Sequence, residues 1–294
     1  MTDPVMYNRR LRSDEIETWI EVCCPDSQKR SLFTEYAVEF MQLEDSMYFI
    51  SSVEGKNIGG TAVYRDRVRL AMALVFLSLE KTFRKGVVAH LIKSSLPFFK
   101  SMAIRNVDAI VNPSDDTTNL PFPISTELAC WTAKSLETLN FEKTDILYKA
   151  TLEDIIIPEN NEYSPWDKKP NIDGSRKLMW DLRKETGLNF SQVWLLRDIM
   201  LKSNSFHTRT IEDVVVASAG LLRIAETGII SPLFISKDVS IDDSLRIIVN
   251  KLGNVNSIEL PIVGKEQMQM IDMMEEMLQT KAEIQELDLY RKNL

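Results

Sequence analysis

Glycine is scarce in this chain, with 10 in 294 residues, about half the usual frequency. So few residues suited to positive φ predict a helix-rich chain with few glycine-dependent turns. Cysteine is scarce as well. Three thiols, two of them adjacent at Cys23 and Cys24, make no disulfide framework and suit a reducing, cytoplasmic setting. Only two histidines occur, His90 and His207, which excludes a histidine-rich zinc site, and no metal is expected. Long apolar runs are missing too. The longest, Leu70 to Leu79, is about half a membrane span, so no spanning helix is expected. Met1-Thr2-Asp3-Pro4 lacks the basic flank and apolar stretch of a signal peptide.

Positive charge is in deficit. Thirty-five basic side chains face 43 acidic ones, for a formal charge of −8. Nucleic-acid affinity rests largely on lysine and arginine displacing counterions from phosphates, so this balance argues against tight DNA or RNA binding. What is present is a globular composition, 44% hydrophobic and 27% charged, with length for about two domains.

Apolar spacing predicts two short amphipathic helices, Ser13–Cys24 and Lys29–Met41, separated by Pro25-Asp26-Ser27. The period then changes. Met47–Val53 and Ile58–Tyr64 read as strands around a turn at Glu54-Gly55-Lys56-Asn57. Leu70–Leu79, almost wholly apolar, reads as a central strand covered on both faces. A helix is expected over 87–102, a strand over 106–111, a Pro- and Asp-rich loop over 112–125, a helix over 126–139 and a strand over 143–152. A mixed sheet with a helix opening directly after its central strand is suited to phosphate, because a helix start has unpaired N–H groups and a positive dipole end. Arg84 and Lys85 add charge there.

The order of these elements, the turn at Glu54-Gly55-Lys56, the strand Ile58-Gly59-Gly60-Thr61-Ala62-Val63-Tyr64-Arg65, and Leu77-Ser78-Leu79 before a basic loop resemble the GNAT superfamily of N-acetyltransferases. Leu136-Glu137-Thr138-Leu139-Asn140-Phe141-Glu142 is similar to that family's helix end before its last strands. The resemblance covers about residues 8–153. It implies acetyl-CoA as co-substrate and an amine as acceptor. The family's diphosphate loop, Arg/Gln-x-x-Gly-x-Gly/Ala, matches in either of two registers. With Arg84 first, Ala89 fits the last position and Val87 holds the central glycine's place. With Gly86 as the central glycine, Phe83 and Val88 take the other two. The implied cofactor-binding set is therefore Leu77, Leu79, Phe83, Arg84, Lys85, Gly86, Val87, Val88 and Ala89. The Leu77–Leu79 backbone would meet the thioester oxygen.

Acyl transfer needs a base for the amine, a donor for the oxyanion and a proton for the leaving thiolate. Glu80 and Ser78 are the polar residues nearest that strand end and are the catalytic candidates. The family's acid, a tyrosine five residues before the phenylalanine, falls on Leu136. Its helix asparagine falls on Ala129, and its glycine falls on Asn140, which tolerates a left-handed cap. Tyr148 and Ser135 are fallback donors. Cys130, Cys23 and Cys24 read as packing thiols, His90 as a helix residue beside the loop, and His207 as a loop residue without a triad or metal companion.

Asp154–Ile172, with Pro158, Pro165 and Pro170, reads as a linker whose Tyr163 and Trp166 pack on a domain. Helices are expected at 174–186, 190–203, 210–229, 239–253 and 265–292, with caps at Asn189, Thr210 and Ser240 and stops at Gly187 and Gly253. Met270, Met277 and Ile284, with Met273, Thr280 and Leu287 three residues after each, form a short a/d seam. It serves either self-association or packing on the domain body.

The expected architecture is a GNAT-like α/β mixed sheet flanked by helices over 1–153, a linker over 154–172 and a second, all-α domain over 173–294. The expected function is N-acyl transfer from acetyl-CoA to an amine, in a cytoplasmic protein whose helical domain either shapes the acceptor site or forms a homodimer. The alternative is a non-catalytic binding or regulatory protein on a degenerate GNAT scaffold, extending to a DNA-binding regulator that uses the helical half.

Overall fold

A computed structural model describes residues 6–84, 87–93, 102–114, 120–157 and 166–294. The chain divides into two compact units, Met1–Asp145 with Leu287–Leu294, and Ile146–Glu286.

Unit 1 opens with β1 (Met6–Arg10), α1 (Ile16–Cys23) and α2 (Ser27–Met41). Asp26 caps α2, its carboxylate accepting the Gln28 N–H at 2.9 Å. Three antiparallel strands follow, β2 (Ser46–Val53), β3 (Lys56–Asp66) and β4 (Ala71–Leu79). Glu54 and Gly55, both at positive φ, make the first hairpin. β4 is buried along most of its length, as its apolar run predicts. Helical residues 87–93 (α3) and β5 (Asn106–Val111) come next, with β5 parallel to β4. The rest of the helix expected over 87–102 lies outside the described residues. The helix expected over 126–139 is shorter than its pattern. Glu127–Leu128 form a strand, β6, which pairs with β5, and α4 spans only Ala133–Thr138. Then β7 (Glu142–Glu153) begins.

On the far edge of β5 lies the end of the chain's last strand, β12 (Ala282–Asn293), with Asp288 opposite Val111. Leu77 and Leu79 of β4 face Val88 and Leu91 of α3 and Leu136 of α4 in one core cluster. Trp19, Phe33, Phe40, Phe76 and Phe122 pack ring on ring on the α1–α2 side of the sheet. Gly60 permits this packing, since a Cβ there would lie 2.4 Å from Trp19 Nε1.

Unit 2 corrects the expected all-α domain. It holds α5 (Ile172–Leu182), α6 (Ser191–Lys202), β8 (Phe206–Ile211), β9 (Val214–Ile224), β10 (Thr227–Ile235), α7 (Ile241–Leu252), β11 (Ser257–Val263) and α8 (Met268–Leu278). Its strands run in the order β7-β11-β10-β9-β8, with β7 entering at Ile146. The helices at 174–186, 190–203 and 239–253 form close to where expected, and Ser240 caps α7 by accepting the Asp243 N–H. The helix at 210–229 does not form. Thr210 lies in β8, and β8, β9 and β10 form an antiparallel meander over 206–235. The helix at 265–292 stops at Leu278, where Gln279 turns left-handed at φ 54. The a/d seam therefore ends there. Met270, Met274 and Met277 pack in the unit's own core.

Of the expected linker, Pro158, Tyr163 and Pro165 lie outside the described residues. Ile155, Ile157 and Trp166 pack against the unit 2 core. Apart from β1 and β6, the elements from α5 to β12 repeat the helix-helix-three-strand-helix-strand-helix-strand order of α1 to β7, a repeat that the residues themselves do not display.

Gly264 ends β11 against the α5–α6 connection, and a Cβ on it would stand 1.8 Å from the Thr186 carbonyl oxygen. Two backbone segments cannot both yield there. Gly264→Ala is expected to destabilise unit 2 by about 2 kcal/mol or more, within the overpacking range. Calorimetric melting of the variant tests this, and an unchanged transition would contradict it.

Candidate functional site

The site is built by a strand that parts from its neighbour. Parallel pairing of β4 with β5 stops at Leu74 opposite Ala109. Just beyond, β4 carries a bulge. Ala62 faces Phe76 and Val63 faces Leu74, which leaves Val75 as the extra residue. From there to Leu79, no strand among the described residues pairs with the second edge of β4. That edge carries backbone N–H and C=O groups able to receive an extended amide chain. β6 lies in the opening, paired with β5 and packed against β4.

The chain leaves β4 into the basic loop. Arg84 donates from Nε to the Leu79 carbonyl at 3.3 Å, and its guanidinium stands 4.5 Å from the Trp131 ring centroid. Lys85 and Gly86 lie outside the described residues. Phe83 and Val87 pack against the core, and Val88 is fully buried within it. Ala89, His90 and Lys93 of α3 line a surface cavity of about 520 Å³ with Leu139, Asn140 and Lys292. Lys292 Nζ donates to the Leu139 carbonyl at 2.7 Å. The side chains of Leu77 and Leu79 belong to the core, so only their backbone is available to a ligand.

The two catalytic candidates are engaged elsewhere. Glu80 forms an exposed ion pair with Lys56 at 2.7 Å, and Ser78 Oγ donates to the Cys23 carbonyl at 3.2 Å. Leu136 is fully buried. Of the fallback donors, Ser135 is half-buried on α4, and Tyr148 belongs to unit 2, packed against its core. Burial pushes the Cys23 and Cys24 thiols above their ordinary range, so neither is a ready thiolate. The His207 ring in β8 lies tilted against Trp166, centroids 5.7 Å apart, and burial lowers its pKa.

On the α1–α2 side of β4 lies a second cavity, of about 370 Å³, walled by Phe33, Phe76 and Phe122 and bordered by Gln28, Lys29 and Glu127. Sequence reasoning missed Glu127 because it fell inside the expected 126–139 helix. It missed Trp131 because nothing in the pattern marks a partner for Arg84. Tyr290, whose hydroxyl donates to Glu137 at 3.2 Å, was hidden in the expected last helix.

Unit 2 opens in the same way, with different chemistry. Parallel pairing of β10 with β11 stops at Ile229 opposite Glu259. The buried Gln267 side chain donates to the Leu233 carbonyl on β10 at 2.8 Å, and its own oxygen accepts the Gly264 N–H. The loop into α7 is Ser236-Lys237-Asp238-Val239-Ser240. Lys237 is paired with Glu185, and Asp242 and Asp243 occupy the first turn of α7. The start of α7 is thus acidic and self-capped, whereas Arg84 brings a positive charge to the chain just before α3.

Among the described residues, no group of His, Cys, Asp and Glu is arranged to hold a metal, and no helix is long and apolar enough to cross a membrane. No protein-family model matches the sequence, nor does any curated protein sequence. Solved structures do. A tandem GNAT protein from the clavulanic acid biosynthesis pathway superposes with TM-score 0.64 at 9% identity, over 98% of each chain. A GCN5-related N-acetyltransferase from Sphaerobacter thermophilus gives 0.57 at 11%, over 98% of this chain and 95% of that one. A GCN5-related glucosamine N-acetyltransferase region in a fungal multi-domain GH3 beta-N-acetylglucosaminidase gives 0.63 at 11%. It matches 99% of this chain, which spans 38% of that longer protein. Along its whole length, the chain is similar in fold to the GCN5-related N-acetyltransferases.

Proposed function

We propose that the chain is a cytoplasmic N-acyltransferase that uses acetyl-CoA and acylates an amine, with its single donor site in unit 1. The observation that carries this reading is the parting of β4 from β5 immediately before a basic helix start, in the one unit whose loop charge suits a diphosphate. When bound, acetyl-CoA supplies an activated thioester. Arg84, Lys85, Gly86 and the α3 backbone would hold its diphosphate. Phe83, Val87, Val88 and Ala89 would shape that turn. The N–H groups of the Leu77–Leu79 edge would receive the carbonyl oxygen. Glu80, on release from Lys56, would take the proton that the amine loses, with Ser78 beside it.

The test is release of free CoA thiol from acetyl-CoA over a panel of primary amines. Amine-dependent release is expected. Arg84→Ala is expected to raise KM for acetyl-CoA about 10-fold or more, the scale of one hydrogen bond to a charged group, with kcat less affected.

A second reading rests on a separate observation. β6 occupies the opening beside β4, and Glu80 is already paired. These features favour a binding protein without turnover. Saturable acetyl-CoA binding with no thiol release for any amine would decide for it.

A further inference from the structure

The chain is acidic, with a formal charge of −8, yet one stretch of it runs the other way. Residues 168–184 hold six basic side chains, Lys168, Lys169, Arg176, Lys177, Arg183 and Lys184, against two acidic ones, Asp173 and Asp181. Most of this stretch is α5, which Asn171 caps by accepting the Gly174 N–H. Ser175, Leu178 and Met179 are its buried residues. Gly174 lets the helix lie close on β9, since a Cβ there would stand 2.4 Å from Val215 Cγ2.

The outer side of α5 combines apolar groups with charge. Ile172 and Trp180 are 47% and 38% exposed. With Arg176 between them they recur every four residues, which makes one ridge along a helix. The Arg183 guanidinium lies 3.5 Å from the Trp180 ring centroid and donates to the Trp180 carbonyl. Lys168, Lys169, Lys177 and Lys184 are exposed and make no ion pair among the described residues. Arg176 reaches Asp173 only at 3.9 Å, in open solvent, a contact worth little.

This charge calls for an anionic partner, and the size of the face selects which kind. A helix of 11 residues is about 16 Å long and about 10 Å across. That is far short of the roughly 800 Å² that each side of a stable protein interface buries. A bilayer surface demands no such area. Each cation near anionic headgroups adds to the attraction, and unpaired, flexible lysines serve it well. A tryptophan beside an isoleucine suits the headgroup boundary. Carboxylates farther off than about 8 Å are largely screened at physiological salt.

We propose that the outer face of α5 attaches the protein to the surface of an anionic bilayer. Trp180 and Ile172 enter the headgroup layer, and the six cations around them meet lipid phosphates and carboxylates. The attachment is peripheral, and it stands independently of the acyl-transfer reading.

The experiment sediments the full chain with vesicles of phosphatidylcholine, either alone or with one-third phosphatidylserine. Binding to the anionic vesicles is expected to be about 10-fold tighter or more at ~0.1 M salt and to be lost at ~1 M, where the screening length falls to about 3 Å. Lys177→Glu with Lys184→Glu is expected to abolish it, and Trp180→Ala to weaken it several-fold. Lys29→Glu with Lys134→Glu, the same change of net charge on exposed positions of unit 1, is expected to leave it in place. No binding to anionic vesicles, equal binding to neutral ones, or equal loss in both charge-reversed pairs would each overturn the proposal. Binding to poly-glutamate without binding to vesicles would also overturn it and assign the face to an acidic protein.

Discussion

Replacing Asp66 by asparagine is expected to remove a pH-dependent loss of stability on the order of 3 kcal/mol. Asp66 closes the β3–β4 connection, where its Oδ1 accepts the Val68 and Arg69 N–H groups at 3.0 and 3.1 Å. Burial pushes its pKa up to about 6 from an ordinary 3.8. The backbone hydrogen bond and charge of Arg69 oppose the rise, and the neighbouring Asp108 adds to it. Arg69 lies 3.8 Å from Asp66 but 2.8 Å from Asp108, which Arg291 also holds at 2.6 Å. The cation thus serves Asp108 first.

Because the folded pKa lies above the unfolded one, the folded chain binds more protons between pH 4 and 6. Stability from this group is therefore full below about pH 4 and falls as pH rises to 6. An asparagine keeps the Oδ1 acceptor and carries no charge to desolvate. Chemical denaturation of both proteins from pH 4 to 7.5 gives a difference curve in which Asp66→Asn gains on the native chain as pH rises. A flat difference curve would show that Arg69 neutralises Asp66 fully.

Trp19→Ala is expected to cost about 3–5 kcal/mol, the range for a buried large aromatic. Trp19 is fully buried, donates from Nε1 to the Phe49 carbonyl at 3.1 Å, and lies against Phe33 and Phe76. Gly60 gives it room, so the cavity left by alanine has one wall that cannot extend a side chain into it. Trp19→Phe, which keeps a ring and loses the donor, is expected to cost less. Phe33 and Phe76 also wall the cavity of about 370 Å³. Calorimetric unfolding checks the cost of Trp19→Ala. A loss below about 1 kcal/mol would mean that the cluster collapses around the gap.

The first half of the fold was legible because its strands alternate with clear breaks. The predicted strand at 106–111 is β5, and β2 to β4 lie within a few residues of their expected bounds. The second half misled through its turns. The β8–β9 turn uses Glu212 and Asp213 at φ 49 and 65, the β9–β10 turn uses Ala225 at φ 52, and Gln279 at φ 54 ends α8. Scarce glycine did not mean few tight turns. Positive φ fell on other residues, of which Glu212, Ala225 and Gln279 carry no turn signal. β9 is buried along most of its length, and a continuous apolar strand has no period to set it apart from a buried helix. β12 alternates in a way that a heptad reading also accommodates.

The positions of Arg84 and of the Leu77–Leu79 edge were legible from strand order. The candidate site was not legible where it depends on an insertion. Residues between β5 and α4 return as β6, and only the fold shows that Glu127 and Phe76 line one cavity.

The central claim is that one unit of two kept the chemistry for an acyl-CoA. Calorimetric titration of CoA-free protein with acetyl-CoA tests it most directly through stoichiometry. One site per chain is expected, weakened in Arg84→Ala and unchanged when Asp242 and Asp243 of α7 are replaced by asparagine. No binding, or a site that responds to α7 and not to Arg84, would contradict it.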